Sequence, residues 1–309
     1  MNFCRPTIVI SKCLEFEACR YDGALISNKH IRKLKEFIDF KVVCPEVEIG
    51  MSVPRDTLRI INNKGQRVLY QDGTGKDFSK KMIQFSKNYL SKLTKVDGFI
   101  LKSKSPSCGI RSAKVFRGMK GEAVGRGSGF FAEQVLSLFP AHPAEQESRL
   151  SDVFYREHFY SAVFTIAEFR SVDSFKKLYE YHAKHKYLFM SYNQLMMTEM
   201  GRIAANSQKK DIVAVLGAYF DHLLQIFRRR ARYTSNINSL MHVFGYFKNI
   251  ATPSQKRLFL DSLEMYRNRQ KPLSFPSDIL LSWINDSNSS YLDRQSFFKP
   301  FPRELRVYD

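Results

Sequence analysis

The stretch "DGFILKSKSPSCG" (Asp97–Gly109) joins an apolar strand to a polar loop that carries one cysteine. Its apolar run, Gly98–Leu101, has the length and composition of a strand that is buried on both faces. Two lysines, three serines and a proline follow and lead to Cys108. Open α/β sheets place their functional residues in loops after the strands. This stretch therefore predicts an α/β fold with a ligand or a nucleophile at Cys108.

Two further apolar runs predict neighbouring strands, "PTIVIS" (Pro6–Ser11) and "FKVVCP" (Phe40–Pro45). Between them, "NKHIRKLKEFI" (Asn28–Ile38) has helical apolar spacing after an Asn that can cap the helix. Strands that alternate with helices favour an α/β domain with a mainly parallel, Rossmann-like sheet.

The pattern changes at "FPAHPAEQESRL" (Phe139–Leu150), where two prolines and a polar run indicate a linker. Beyond it, the apolar residues recur at helical spacing almost to the end of the chain. We therefore predict an α/β domain over residues 1–145 and an all-α domain over residues 146–309.

The apolar content is high enough for a packed core, because 44% of the 309 residues are hydrophobic and 14% are aromatic. No apolar run approaches the roughly 20 residues that a membrane span needs. The N-terminal "MNFCRPTIVISKC" lacks the layout of a signal peptide. We expect a cytoplasmic protein with no membrane partner, in which the five cysteines are thiols or metal ligands.

The formal charge of +19 is spread over the whole chain, with +11 in residues 1–150 and +8 in residues 151–309. An excess of this size favours a polyanionic partner, most often a nucleic acid, over an ordinary basic protein. The densest basic cluster is "FRRRARY" (Phe227–Tyr233), which is either a solvated helix end or a patch that contacts phosphate. The candidate RNA-binding side chains of this half are Lys184, Lys186, Arg228, Arg229 and Arg230.

Three cysteines follow predicted strands: Cys13, Cys44 and Cys108. Because the carboxyl ends of parallel strands share one edge of a sheet, we expect these thiols to converge. The chain has no CxxC pair, which a structural zinc site often contains. The spacing leaves three hypotheses open: a metal or iron–sulfur site, a nucleophilic cysteine, and unrelated buried thiols. Cys4 and Cys19 are further candidates, or small apolar side chains.

Three blocks resemble the signature motifs of the TudS-type thiouracil desulfidases: "SKCLEFEACRYDG" (Ser11–Gly23), "VCPEVEIGMSVPR" (Val43–Arg55) and "DGFILKSKSPSCG". The second half, with "FKKLYEYHAKHKYLFM" and "NSLMHVFGYFK", is similar to the YbgA-type helical domain. The two together resemble the RudS type of transfer-RNA 4-thiouridine desulfidase.

The resemblance implies a [4Fe–4S] cluster held by Cys13, Cys44 and Cys108. It implies that Glu46 and Ser105 are the catalytic partners. The implied reaction is a non-redox hydrolysis in which thiouracil becomes uracil and sulfide is released. Cys19 is not carried over as a ligand, because that position varies among relatives.

Other residues of the same blocks have two interpretations. Arg20, Asp22 and Arg55 either stabilise the loops or contact the base or phosphate of the substrate. Glu15 stands where relatives usually have a small or apolar residue, often glycine, so we expect an altered loop after Cys13.

Three functions follow from these observations. The first is a desulfidase that acts on 4-thiouridine in transfer RNA, with no obligate protein partner. The second is the same chemistry on free thiouracil or thionucleosides, and the third is a non-catalytic iron–sulfur sensor that binds RNA.

His182 and His185 are spaced as a metal pair on one helix face. Because no matching carboxylate cluster is evident in the sequence, we expect these histidines to lie in the core or to face RNA.

Overall fold

The three strands that precede the cysteines lie side by side in one sheet. The computed structural model describes residues 3–63, 65–119, 121–287 and 289–306, and within these ranges it has eight strands: β1 (Thr7–Ser11), β2 (Asp39–Val43), β3 (Leu58–Asn63), β4 (Gln66–Gln71), β5 (Gly98–Leu101), β6 (Ala113–Arg117), β7 (Ala123–Gly127) and β8 (Ala144–Gln146). The first sheet has the order β2-β1-β5-β8, and every neighbouring pair in it is parallel.

The register of this sheet brings the loops after β1, β2 and β5 to one edge. Ser11, the last residue of β1, pairs with Val43, the last residue of β2. On the other side of β1, Ile10 pairs with Ile100, one residue before the end of β5. The parallel α/β fold predicted for the N-terminal half is confirmed.

A second four-stranded sheet, of order β4-β3-β6-β7, is mixed. Its β3–β4 and β6–β7 pairs are antiparallel, whereas β3 and β6 run parallel. The β3–β4 hairpin follows from the two strand-like runs of "DTLRIINNKGQRVLYQ", whereas the apolar pattern did not predict β7, which has the sequence AVGRG and is almost entirely exposed.

Twelve α-helices fall within the described residues: α1 (Lys29–Leu34), α2 (Pro45–Glu48), α3 (Ser79–Ser91), α4 (Phe130–Leu138), α5 (Val153–Phe169), α6 (Phe175–Tyr192), α7 (Gln194–Ala205), α8 (Ile212–Ile226), α9 (Tyr233–Phe244), α10 (Pro253–Arg267), α11 (Ser274–Asp286) and α12 (Ser290–Asp293). The predicted start of the first helix is confirmed. Asn28 caps α1, because its side chain accepts from the N–H groups of His30 and Ile31. Thr252 and Gln255 form a capping box at the start of α10.

The chain divides into two units between Phe159 and Tyr160. In the N-terminal unit, Phe99, Phe131 and Met82 are fully buried in one core cluster. Burying one such side chain stabilises a fold by about 1.5–3 kcal/mol. Cys108 belongs to the same cluster, so the core itself holds the loop after β5 in place.

The C-terminal unit is all-helical, as predicted. The segment after α12 is attached to α6 by Gln295, whose Nε2 donates to the carbonyl of Ala183 at 2.9 Å. The Ser296 N–H donates to the carbonyl of Lys184 at 3.0 Å. Among the described residues, no helix combines the length and the apolar character needed to cross a bilayer.

Candidate metal and catalytic centre

Three buried cysteines lie in the loops at the carboxyl edge of the parallel sheet. Cys13 follows β1, Cys44 occupies the N-cap position of α2, and Cys108 lies in the loop after β5. Their exposed fractions are 8%, 8% and 5%. The three cysteine-bearing loops therefore share one edge of the sheet, as the sequence predicted.

The thiols are close enough to influence one another's ionisation. Burial raises the pKa of Cys13 to about 12, and the neighbouring Cys44 contributes to the rise. Burial also raises the pKa of Cys108 well above its usual value, although a hydrogen bond with the Ser11 side chain opposes the shift. Thiolates at this edge would repel one another and would need a positively charged group to stabilise them.

Cys19 lies beside Cys44, with its carbonyl oxygen 3.9 Å from the Cys44 Sγ. Burial raises the pKa of Cys19 to about 12, and Cys44 and Cys13 add to the shift. Cys19 is therefore next to two of the three predicted ligands, Cys13 and Cys44, although the motif alone did not identify it as one. Cys4 is half-buried and precedes β1.

Glu46, the second residue of α2, has hydrogen-bond partners on both carboxylate oxygens. The Nε of Arg55 donates to the Oε2 of Glu46 at 2.9 Å, and the Nη2 of Arg55 lies 2.7 Å from the same oxygen. The hydroxyl of Ser107 donates to its Oε1 at 2.8 Å. The Arg55 side chain is only 3% exposed and that of Glu46 12%, so the pair is shielded from water.

Arg55 also connects two of the three sequence blocks. Both terminal nitrogens of its guanidinium donate to the carbonyl of Cys19 at 3.1 Å, and Nη1 donates to the carbonyl of Ser52 at 3.2 Å. Because these donors are engaged by the protein, Arg55 stabilises the loops. This is the first of the two roles predicted for it, the other being contact with the substrate. Arg20 and Asp22 form a separate, more exposed ion pair at 3.0 Å.

Ser105 and Ser107 have different roles in the loop that carries Cys108. The Ser105 hydroxyl accepts from the N–H groups of Ser107 at 3.2 Å and Cys108 at 3.1 Å, and its own hydrogen remains able to donate. The fully buried Ser107 is the serine that contacts Glu46. The motif named Ser105 and missed Ser107, because spacing alone does not show which hydroxyl faces the carboxylate.

A close approach of Gly129 to the backbone holds Ser107 in place. A Cβ atom at Gly129 would lie 2.5 Å from the carbonyl carbon and oxygen of Ser107. The N–H groups of Phe131 and Ala132, at the start of α4, donate to this same carbonyl at 2.9 and 3.0 Å. The Ser107 backbone is thus fixed from the helix side.

Sequence reasoning also missed Lys102, the residue directly after β5. Its ammonium lies 2.6 Å from the Oε1 of Glu147, and both the N–H and the hydroxyl of Ser103 donate to that carboxylate at 2.6 Å. The charge of Lys102 lowers the pKa of Cys13 and so opposes the effect of burial. The "ILKS" sequence at the strand end could have indicated this cation.

Glu15 has a backbone φ of 67°, in the left-handed region that favours glycine. Glycine would adopt this conformation without strain, which agrees with the glycine that the resemblance implies at this position. The Glu15 carboxylate accepts from Arg32 at 3.2 Å and from the Asn28 N–H. Although burial opposes the shift, these contacts and a hydrogen bond with Ser27 lower the pKa of Glu15.

A cleft of about 600 Å³ lies beside Arg55, between the segments 50–56 and 71–78. Neither Glu46 nor a cysteine lines it. The cleft therefore borders the cysteine centre and is not part of it. In the described residues, no three or more His, Cys, Asp or Glu side chains are placed to hold one metal ion, so a group held by the three cysteine loops must be larger than a single ion.

The predicted residues of the C-terminal unit differ in their exposure to solvent. Arg228, Arg229 and Arg230 follow α8 and are exposed. The ammonium of Lys184 lies 2.6 Å from the Oε1 of Glu168, and Lys186 is half-buried.

The two histidines that the sequence singled out, His182 and His185, contact different partners. His182 Nδ1 lies 2.9 Å from the Tyr219 hydroxyl, and His185 Nδ1 lies 2.7 Å from that of Ser296. Both imidazoles therefore take part in the packing of the helical unit.

Comparison with known proteins identifies the N-terminal half. Residues 8–147 match the family model of the 2-thiouracil desulfurases. The uncharacterized protein YbbK of Bacillus subtilis (strain 168) is 33% identical over 111 residues, which are 33% of this chain and 72% of YbbK.

The chain belongs to the 2-thiouracil desulfurase family. The matched residues of this desulfurase contain the three cysteine loops together with Glu46, Ser105 and Ser107. A solved [4Fe-4S]-dependent thiouracil desulfidase, TudS, is 22% identical, with a TM-score of 0.37, and the match covers 48% of this chain and 95% of that one.

The C-terminal half of this desulfurase matches a second family. Residues 186–302 match DUF1722, a family of unknown function. The uncharacterized protein YbgA of Escherichia coli (strain K12) is 22% identical over 131 residues, which are 42% of this chain and 78% of YbgA.

Proposed function

We propose that this desulfurase removes sulfur from 4-thiouridine in transfer RNA and that a [4Fe–4S] cluster held by Cys13, Cys44 and Cys108 is its cofactor. Water supplies the new carbonyl oxygen, the C=S bond is replaced by C=O, and the two hydrogens of water leave with the sulfur. No electrons are transferred. The main support is that three buried thiols and a shielded carboxylate meet at one sheet edge in a member of this family.

The donor set suits an iron–sulfur cluster better than a hard cation. Cys13, Cys44 and Cys108 offer sulfur donors from three separate loops, and thiolates select iron–sulfur clusters and soft metals. Binding such a group would also relieve the repulsion between the thiolates. When held by these three cysteines, such a cluster would supply Lewis acidity towards a thiocarbonyl sulfur.

In this proposal Glu46 accepts the proton of the attacking water. Arg55 and Ser107 hold its carboxylate in one orientation, so little reorganisation is needed when the proton moves. The hydroxyl hydrogen of Ser105 donates to the substrate base or to the water. Lys102 places a positive charge near Cys13, where it stabilises thiolate ligands.

The RNA part of the proposal depends on charge. The formal charge of +19 and the exposed Arg228, Arg229 and Arg230 favour a phosphate backbone as partner. Lys186 extends this surface, whereas Lys184 contributes less because Glu168 binds its ammonium. A thiolated base in folded RNA must leave its stack to react.

Because the predicted ligands are free thiols, we expect the reaction to take place in the cytoplasm.

The test compares two substrates with the anaerobically reconstituted full chain. Purified thiolated transfer RNA and free thiouracil are each assayed for sulfide release and for loss of the thiocarbonyl absorbance, with Cys108→Ala as control. Turnover of the RNA that is absent in the control supports the proposal. Turnover of free thiouracil alone would replace the substrate, and RNA binding without sulfide release would indicate a sensor.

A further inference from the structure

A small cavity in the C-terminal unit lies between the start of α6 and the loop that joins α7 to α8. It has a volume of about 330 Å³ and is lined by Phe175, Tyr179, Ala205, Asn206, Lys209 and Lys210. Ligand cavities in proteins usually measure about 300–1,000 Å³. This one is large enough for a group about the size of one nucleotide.

The loop that carries the two lysines is closed by its own hydrogen bonds. The Asn206 side chain donates to the carbonyl of Lys210 at 2.8 Å and accepts from the N–H of Lys210 at 2.9 Å. Asn206 and Lys209 have φ values of 45° and 53°, a conformation that side-chain-bearing residues seldom adopt. Lys209 and Lys210 therefore extend from a constrained backbone.

The cavity combines an aromatic face with positive charge. Tyr179 is 48% exposed, and both lysines are exposed without an ion-pair partner in the described part of the chain. Of the nearby acids, Asp173 is paired with Lys177 at 2.6 Å, and the Asp211 carboxylate accepts from the N–H of Ala214 at 2.9 Å. A flat ring that carries an anionic group complements this combination.

We infer that this cavity binds one nucleotide of a single-stranded RNA segment, with its base against Tyr179 and its phosphate at Lys209 and Lys210. Bases stack on exposed aromatic rings without strong sequence preference, and lysines follow the backbone charge. The inference rests on the proposed function in one respect, because it takes the partner to be RNA.

A strand of RNA fits better than a free nucleotide. The 15 residues of α8 separate this cavity from Arg228–Arg230 by about 22 Å along the helix axis. A free nucleotide reaches one of the two basic sites, whereas several linked nucleotides reach both. We therefore expect RNA to bind much more tightly than uridine monophosphate.

The experiment measures binding of a labelled single-stranded RNA oligonucleotide to the full chain by fluorescence anisotropy at several salt concentrations. Tyr179→Ala and the double variant Lys209→Glu/Lys210→Glu should each weaken binding on the order of tenfold. The double variant should also reduce the slope of log affinity against log salt by about 1.4, which corresponds to two phosphates of a single strand. Tyr179→Phe should retain the affinity, because it keeps the stacking ring.

The matched control is Arg257→Glu/Lys271→Glu, which reverses two exposed charges on α10 and in the loop after it. Equal losses of RNA affinity in the two double variants would overturn the proposed nucleotide site, because such losses would reflect only the change in net charge. Binding of uridine monophosphate as tight as that of RNA would overturn it too. Trp283, the single tryptophan of the chain, shows by its fluorescence whether each variant is folded.

Activity on free thiouracil separates the two proposals. The cavity variants should leave this activity unchanged, because they lie outside the cysteine centre. If the wild type releases no sulfide but Lys209→Glu/Lys210→Glu still weakens RNA binding, the proposed function is wrong and the nucleotide site in the cavity is supported. If the double variant binds RNA as the wild type does and sulfide is released, the cavity fails and the function stands.

Discussion

Arg55 and Glu46 form a shielded ion pair at 2.7 Å, and the same guanidinium donates to the carbonyl of Cys19. The pair therefore links the first cysteine block to the second. A guanidinium is suited to this position, because its planar fork can bond a carboxylate twice and still reach a backbone oxygen. Arg55 thus positions Glu46 and is expected to affect both stability and turnover.

Replacing Arg55 by Gln should leave the Glu46 carboxylate buried without its cation. Removing one partner of a buried pair costs about 3–5 kcal/mol of stability. Arg55→Lys keeps the charge but loses the fork, so it should recover only part of this loss. Urea titration followed by circular dichroism measures the effect. The control, Arg20→Gln, removes an exposed pair and should cost about 1 kcal/mol or less, and equal losses in the two Gln variants would contradict the account.

Ser105 and Ser107 should have separable effects. Ser107→Ala removes the donor to Glu46 Oε1, so kcat should fall on the order of 100-fold with little change in bound iron. Ser105→Ala removes both a cap of the Cys108 loop and the donor to the substrate, so it should lower iron retention as well as kcat, and Ser105→Thr should restore both. Iron analysis and steady-state kinetics on each variant decide this, and a Ser107→Ala enzyme with unchanged kcat would refute the role given to that hydroxyl.

Gly129→Ala tests the role of the Ser107 hydroxyl without replacing Ser107 itself. The added methyl would lie 2.5 Å from the Ser107 carbonyl, so the backbone must shift and Ser107 must move relative to Glu46. We expect a loss of about 1–3 kcal/mol in unfolding free energy and a fall in kcat similar to that of Ser107→Ala. Gly125→Ala is the matched control, because a Cβ there meets no atom within 4 Å. Full activity in the Gly129 variant would show that the position of Ser107 does not matter.

Glu168 should make the stability of the C-terminal unit depend on pH. Burial opposes the shift, but contacts with His185 and Lys184 outweigh it and lower the pKa of Glu168 from 4.5 to about 2. Because the folded state holds the carboxylate charged, this stabilisation is present above pH 4.5 and is lost as the pH falls towards 2. At neutral pH it amounts to less than about 3 kcal/mol, because burial lowers the pKa of His185 and leaves Lys184 as the charged partner there.

The measurement is urea unfolding of wild type and Glu168→Gln over this pH range, followed by the fluorescence of Trp283. The difference in unfolding free energy between the two should be largest at neutral pH and should vanish near pH 2. A difference that stays constant with pH would contradict the assignment of the shifted pKa to Glu168.

The sequence predicted the parts of the structure that depend on local pattern. The strand before Cys13 and the cap at Asn28 follow from apolar spacing and from the chemistry of one side chain. Convergence of the cysteines followed from the geometry of parallel strands. By contrast, the contact of Ser107 with Glu46 joins residues 61 positions apart, which a local pattern does not encode.

The same limit explains the other differences. Lys102 and Glu147 meet across 45 positions, so their pairing became visible only in the folded chain. The exposed strand β7 has almost no buried face and therefore no alternation to detect. Whether Cys13, Cys44 and Cys108 bind a cluster, and whether Lys186 and the three arginines bind RNA, remain predictions from motif and charge.

The most direct test of the central claim follows the oxygen atom. Anaerobically reconstituted protein is incubated with thiolated transfer RNA in isotopically labelled water, without added oxidant or reductant, and the nucleosides are analysed by mass spectrometry. The account predicts one labelled oxygen in each uridine formed and one sulfide released for each, with neither product in the Cys108→Ala variant. Unlabelled uridine, or turnover that requires an electron donor, would contradict it.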